Sequence, residues 1–178
     1  VRPRSAPAPP TRASHPTSPQ GPARQAQARA ATRAASRHVQ LVLQALHPAA
    51  MAGVAGHSGY KSDPWGRLQR TSTYIAVTTY GLIPDAEAAV AKVRDVHERV
   101  RGKDHRGRPY RASDPRLLLW VHVAEISSFL NAYRAYGASP ISDADADTYV
   151  EQAGHAASLL GAEGVPTTVA ELDAVLAS

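Results

Sequence analysis

Apolar positions recur three and four residues apart through most of this chain, the spacing of a helix buried on one side. The clearest case is residues 85–101, where Ala86, Ala89, Val90, Val93, His97 and Val100 share one face. Residues 28–46 end in 39-VQLVLQAL-46, with Val39, Leu43 and Leu46 on one face and Pro48 as the stop. The small residues of 49-AAMAGVAGHSG-59 suit close helix contact. Ser62 or Asp63 can cap the next helix, with Pro64 in its first turn; it runs to about Tyr80 and is closed by Gly81. Within it, 73-TYIAVTTY-80 has strand propensity, but the caps and spacing favour helix. The stretch 102-GKDHRGRPYRASDP-115 reads as a polar loop. Residues 116–136 form a long apolar helix with an aromatic end at Phe129, Tyr133 and Tyr136. Ser142 caps a helix that Gly161 ends after Leu160, and 168-TVAE-171 is a capping box opening a short last helix. The prediction is an all-α protein of six or seven helices with no strand and no internal repeat.

Composition changes this picture at the N-terminus. Residues 1–27 are Pro, Ala, Ser, Arg and Gln, with seven prolines by Pro22 and no aromatic. Such a segment cannot bury enough apolar surface to offset its ordering entropy and is expected to be disordered. It lacks a secretory h-region, and its prolines oppose the amphipathic helix of a transit peptide. The domain expectation is therefore a tail over 1–27 and one helical domain over 28–178. The longest apolar run, 117-LLLWVHVA-124, falls well short of the roughly 20 residues a membrane span needs. A cytoplasmic protein is expected, and a lipid substrate would have to come to it.

The formal charge of +5 is unevenly placed. Through Ser62 there are seven Arg, one Lys and no acid, a balance of +8; the remainder holds 12 basic and 15 acidic residues, a balance of −3. On those sums the helical body is not expected to bind nucleic acid specifically. The absence of cysteine excludes disulfides, thiolate metal sites, a cysteine nucleophile and covalently attached haem.

Nucleotide-binding, zinc-protease, serine-hydrolase and EF-hand motifs are all absent. Asp143, Asp145 and Asp147 sit at a helix start, where they favour the helix dipole. The histidines remain. His97 on its apolar stripe is either a satisfied core histidine or a metal ligand; with no second ligand at i+4, zinc is disfavoured, whereas a haem needs one axial imidazole and an apolar slot. His122 shares a face with Leu119, Ile126 and Phe129, as a packed residue, a partner of the ligand or a distal group. His47, before Pro48, is expected at a helix end where an imidazolium favours the dipole. His57 falls in a loop, and His105 and His155 are expected on the surface. In 63-DPWGRLQRTSTY-74, Arg67, Arg70, Thr71 and Tyr74 lie at i, i+3, i+4 and i+7. That stripe is either a solvated face or the lining of a site.

HP at 47–48, HSGY at 57–60, DPWGRLQRT at 63–71, VRDVHERVRG at 93–102, GRPYRASDP at 107–115, LLLWVHV, FLNAYRAYG and LLG at 159–161 follow one another in order. Together they resemble the MpaB/latex-clearing-protein oxygenase family over about residues 39–178. The resemblance implies a helical bundle with a globin-like core, a b-type haem with its iron, dioxygen as co-substrate and an unsaturated apolar, isoprenoid-like substrate. It implies His97 as the axial iron ligand, Arg67 and Thr71 beside the haem, and Arg67, Arg70 and Thr71 as the catalytic set. Arg70 stands where latex-clearing proteins carry a lysine; an arginine stays protonated and does not ligate iron. His122 belongs to the WVH pattern of the MpaB-like branch and is carried as a further haem-binding residue. Family domains continue beyond the position of Ser178, so an incomplete domain is expected. The rival readings are a non-enzymatic helical haem- or ligand-binding module, and association with nucleic acid or an acidic surface through the Arg-rich tail.

Overall fold

A central apolar helix and the elements stacked on it organise the molecule, a computed structural model that describes residues 47–57 and 62–178. The expected tail and the helix over 28–46 lie outside the described residues. In chain order the elements are α1 (Pro48–His57), α2 (Pro64–Tyr80), α3 (Ile83–Arg99), β1 (Arg101–Lys103), β2 (Pro109–Arg111), α4 (Pro115–Tyr136), α5 (Asp143–Leu160) and α6 (Val169–Leu176). The fold is all-α apart from the short antiparallel ribbon β1–β2, which pairs Arg101 with Arg111, Gly102 with Tyr110 and Lys103 with Pro109. The ribbon corrects the expectation of a strandless loop over 102–115. Its signal was short-range: Asp104 Oδ1 accepts from the backbone N–H groups of Arg106 and Arg108 at 2.8 and 2.9 Å, closing the turn. The helix expected over 85–101 begins two residues earlier and ends at Arg99, where Val100 becomes extended and leads into β1.

Local chemistry accounts for the helix ends. Asp63 accepts from Gly66 N at 2.8 Å, with Pro64 in the first turn of α2. Asp114 accepts from the first N–H groups of α4, and Ser142 Oγ accepts from Asp145 N. Gly161 closes α5 with φ of 107°, the left-handed conformation glycine adopts without strain. At α6, Thr168 accepts from Glu171 N, while the Glu171 carboxylate reaches back one residue further than a standard capping box, to Thr167 N at 2.7 Å.

The core lies between α4, α5 and α6. Val123, Ile126 and Leu130 of α4 pack with Ala146 and Val150 of α5 and Leu172 of α6. A smaller cluster joins Leu118, Ala157 and Ala162. Gly154 lets the chain before α6 approach α5 closely, since a Cβ there would stand 2.8 Å from Val165 Cγ1. Asp147 Oδ1 accepts from Val169 N at 2.8 Å and ties the start of α6 to α5. Helix α3 packs on both α2 and α5, burying Val90, whereas α2 buries no residue completely and forms the outer layer. No described helix is long and apolar enough to cross a membrane.

Leu172 is 1% exposed and Leu82 is 74% exposed. Leu172→Ala is expected to lower unfolding free energy by about 2–5 kcal/mol, and Leu82→Ala by no more than about 0.5 kcal/mol, both read from urea denaturation. Equal effects would show that α6 is not part of the core.

Candidate functional site

Only Gly81 and Leu82 separate α2 from α3, so the two helices pair antiparallel. Antiparallel pairing sets the start of α2 beside the end of α3. Arg67 and His97 are nearly equidistant from the turn, at about 20 Å along their helices for a rise of 1.5 Å per residue.

His97 is half-buried, and its Nδ1 is buried without a hydrogen-bond partner among the described residues. Desolvation holds its pKa below the ordinary histidine value against the opposing charge of Glu98, so the ring is neutral at pH 7. Arg67 is half-buried, and desolvation followed by the charge of Arg70 lowers its pKa. Arg70 is exposed and its Nη1 stands 3.3 Å from Asp63 Oδ2, turned toward the helix cap. Thr71 is exposed, while Tyr74 is half-buried with its hydroxyl buried and unpartnered among the described residues. The stripe Arg67, Arg70, Thr71 and Tyr74 is therefore divided, with Arg67 and Tyr74 facing inward and the other two outward.

On α4, His122 is 8% exposed and its Nε2 is buried without a partner among the described residues. Burial pushes its pKa down to about 4. Two residues earlier, Trp120 Nε1 is likewise unpartnered among the described residues, and its ring lies 5.7 Å from that of His47. His47 occupies the N-terminal end of α1, where its Nδ1 accepts from Ala50 N at 3.4 Å. The helix that the sequence expects to end before His47 lies outside the described residues. His57 closes α1 instead of lying in a loop. His105 and His155 are exposed as expected.

Glu125 was missed in the sequence. It sits on α4 one turn after His122, and desolvation raises its carboxyl pKa to about 7. It acts electrostatically on Tyr74 of α2, whose hydroxyl is pushed up to about 12 chiefly by burial, and on Tyr149 of α5, raised by burial first. No described residue hydrogen-bonds the Glu125 carboxylate. The available signal was that α4 holds a single acidic residue among its 22.

Among the described residues no group of three or more His, Asp or Glu side chains is placed to hold a bare metal ion, and Asp143, Asp145 and Asp147 form no such group. Two surface grooves flank the helices. One of about 410 Å³ is lined by Gln69, Ser72, Thr73, Ala76, Val77 and Tyr80; the other, about 250 Å³, is lined by Glu87, Val90, Ala91, Arg94 and Leu159. Neither is lined by His97, Arg67, Thr71 or His122. The chemistry of the site thus rests on the orphaned polar atoms and not on either groove.

Two desolvated groups give opposite pH slopes. Glu125, with its pKa raised in the folded state, favours folding when protonated; stability falls as pH rises from the unfolded value near 4.5 through about 7. His122, depressed to about 4, costs stability as pH falls below its unfolded value of 6.5. Glu125→Gln is expected to be more stable than the parent at pH 8, on the order of 3 kcal/mol at most, with the difference closing by pH 4.5. Urea denaturation across pH tests this; a difference independent of pH would refute the raised carboxyl.

Comparison with known proteins bears on this arrangement. Uncharacterised proteins of Mycobacterium bovis and Mycobacterium tuberculosis are each 34% identical over 91 residues, covering 51% of this chain and 35% of the relative. The matched stretch is thus about a third of those relatives' length. No solved structure matches. The family model described as "ER-bound oxygenase mpaB/B'/Rubber oxygenase, catalytic domain" matches residues 21–178, further toward the N-terminus than the motif series alone reached, and the chain belongs to that family.

Proposed function

We propose that this chain is a haem-dependent oxygenase domain that uses dioxygen to oxidise an unsaturated apolar, isoprenoid-like substrate, with His97 as the residue that would hold the haem iron. The observation that carries the reading is His97 itself: a neutral imidazole on the inner side of α3 with a buried nitrogen that has no partner among the described residues. Buried polar atoms are ordinarily satisfied, so an orphaned imidazole nitrogen fits a group that binds there. Tyr74, Trp120 and His122 add further unpartnered atoms on neighbouring helices. Family membership in an oxygenase catalytic domain supports the same reading.

Haem b, when bound, would supply the activation of dioxygen toward the substrate's double bond. The remaining work falls to the chain. His97 stays unprotonated because burial disfavours the imidazolium, which keeps a lone pair available for ligation. Arg67, partly desolvated, can pair a cofactor carboxylate or stabilise negative charge developing on oxygen. Thr71, one turn on, can pass a proton from solvent through its hydroxyl. Arg70, engaged with Asp63, contributes charge at the rim and does not ligate iron. His122 donates or accepts a hydrogen bond from its buried position as the neutral ring.

A second reading, a helical haem- or ligand-binding module without turnover, is favoured by the outward placement of Arg70 and Thr71.

With haem supplied, the purified protein is expected to show a Soret band that His97→Ala abolishes or shifts and His122→Ala retains. A band unchanged in His97→Ala would overturn the ligand assignment. Oxygen uptake with a panel of isoprenoids separates the two readings: turnover, reduced about 100-fold in Arg67→Ala, supports the oxygenase, and haem uptake with no oxygen consumption supports the binding module.

A further inference from the structure

Of the 12 cationic side chains in the body of the chain, residues 63–178, six fall between Arg99 and Arg111, and the β1–β2 ladder decides which of them share a face. Ala112 N donates to Val100 O and Asp104 N to Arg108 O, both at 2.9 Å. Hydrogen-bonded and non-hydrogen-bonded pairs alternate along an antiparallel ladder, so Arg101 and Arg111, partners in the register, form a non-hydrogen-bonded pair. That pair type brings side chains closest, with Cβ atoms about 4.5–5.5 Å apart. Lys103 stands on the same face, diagonal to Arg111 at roughly 7–8 Å. The opposite face is turned inward, because Tyr110 lies over Gly102 and against Gly53 and Gly56 of α1. Arg101, Lys103 and Arg111 are all exposed.

Like charges directly opposite one another destabilise a sheet. Among the described residues no carboxylate forms an ion pair with Arg101, Lys103 or Arg111. The acids nearest in sequence are engaged elsewhere. Asp104 is buried, and Arg108 Nε and Nη2 both reach its Oδ2 at 2.8 Å. Glu98 accepts from Ser113 Oγ at 3.4 Å, and Asp114 accepts from the backbone N–H groups of Arg116 and Leu117. Residues 1–62 contain no Asp or Glu, so that part of the chain supplies no carboxylate either.

Three cations thus stand within about 8 Å of one another without a counter-charge. The dimensions of the face select the ligand. A carboxylate has two oxygens, which one guanidinium already satisfies; a tetrahedral phosphate has more and can accept from two guanidinium groups and an ammonium together. The face does not extend into a track for a nucleic-acid backbone, because Pro109, the partner of Lys103, follows on it, and Arg108 beyond is held by Asp104. We infer that Arg101 and Arg111, with Lys103, form an anion site for a small molecule bearing a phosphate or diphosphate group. The bound anion lies between the paired guanidinium groups and relieves the repulsion built into the ribbon. The inference does not rest on the haem reading.

Thermal unfolding of the full chain in rising pyrophosphate, inorganic phosphate, acetate or chloride, at matched ionic strength, tests this. An anion held equally by folded and unfolded chains shifts no midpoint, so the reading reports a site that folding assembles. The midpoint should rise and saturate with pyrophosphate, rise less with phosphate, and respond to acetate no more than to chloride. Arg101→Gln or Arg111→Gln should have two opposite effects. Each should raise the midpoint in low-salt buffer without the anion, by removing the cross-strand repulsion, and weaken pyrophosphate binding about tenfold or more. Lys92→Gln with Arg134→Gln, exposed cations elsewhere, should leave binding within about twofold. The Nε–H resonances of Arg101 and Arg111 should move along the same titration curve. Equal effects of all four anions, a pyrophosphate response intact in both ribbon variants, midpoints no higher than the parent's without the anion, or a larger response to duplex DNA at equal phosphate concentration would each overturn the inference. The titration is repeated with haem supplied, so a missing Soret band would remove the oxygenase reading and leave this result standing.

Discussion

Val123, Ile126 and Leu130 can leave water together only if α4 is covered along its length, and that requirement shapes the molecule. Helices α5 and α6 supply the cover through Ala146, Val150 and Leu172. Small residues on α5 allow close approach, and Gly154 admits the chain before α6 at a distance no side chain would permit. Once α5 is seated it offers a second surface, on which α3 packs, and α3 in turn carries α2. Burial falls off outward in that order. The outermost helix, α2, is held by half-buried side chains and by its turn to α3, with no fully buried residue of its own.

This gradient explains why the candidate chemistry lies where it does. A site for an apolar cofactor needs polar atoms that are shielded from water yet free to bind, and such atoms are costly in a completed core. His97 and Tyr74 occur on the loosely covered helices, and His122 and Trp120 on the end of α4 that faces α1 and the ribbon region. Glu125 adds a carboxyl whose ionisation opposes its burial, in the electrostatic company of two tyrosines from α2 and α5. Three helices distant in sequence thus converge on groups that all resist the charged form.

Surface charge follows a different rule from the core. Acidic side chains spread over helix starts and exposed faces, as at Asp143 and Asp145, where the helix dipole favours them. Half of the body's 12 cationic side chains fall between Arg99 and Arg111, in and around the short ribbon. A net charge of −3 for the body averages these two distributions and hides both.

Helix boundaries were legible without coordinates, because a cap is a contact between residues three apart: Asp63 with Gly66, Ser142 with Asp145, Thr168 with Glu171. The apolar stripe that carries His97 and the buried face that carries His122 were equally readable, since a period of 3.6 is written along the chain. The ribbon was not, because two strands of three residues give too little alternation to register against a polar background. Glu125 escaped because an acid in an apolar helix shows only that it is unusual, while its effect on Tyr74 and Tyr149 depends on packing between helices. The sequence by itself determined where helices start, stop and turn their apolar sides, through forces acting within one or two turns. Tertiary structure alone decided that Arg101 faces Arg111 and that, among the described residues, four polar atoms are buried without partners, because such proximities arise only when separate elements compete for the same apolar surface.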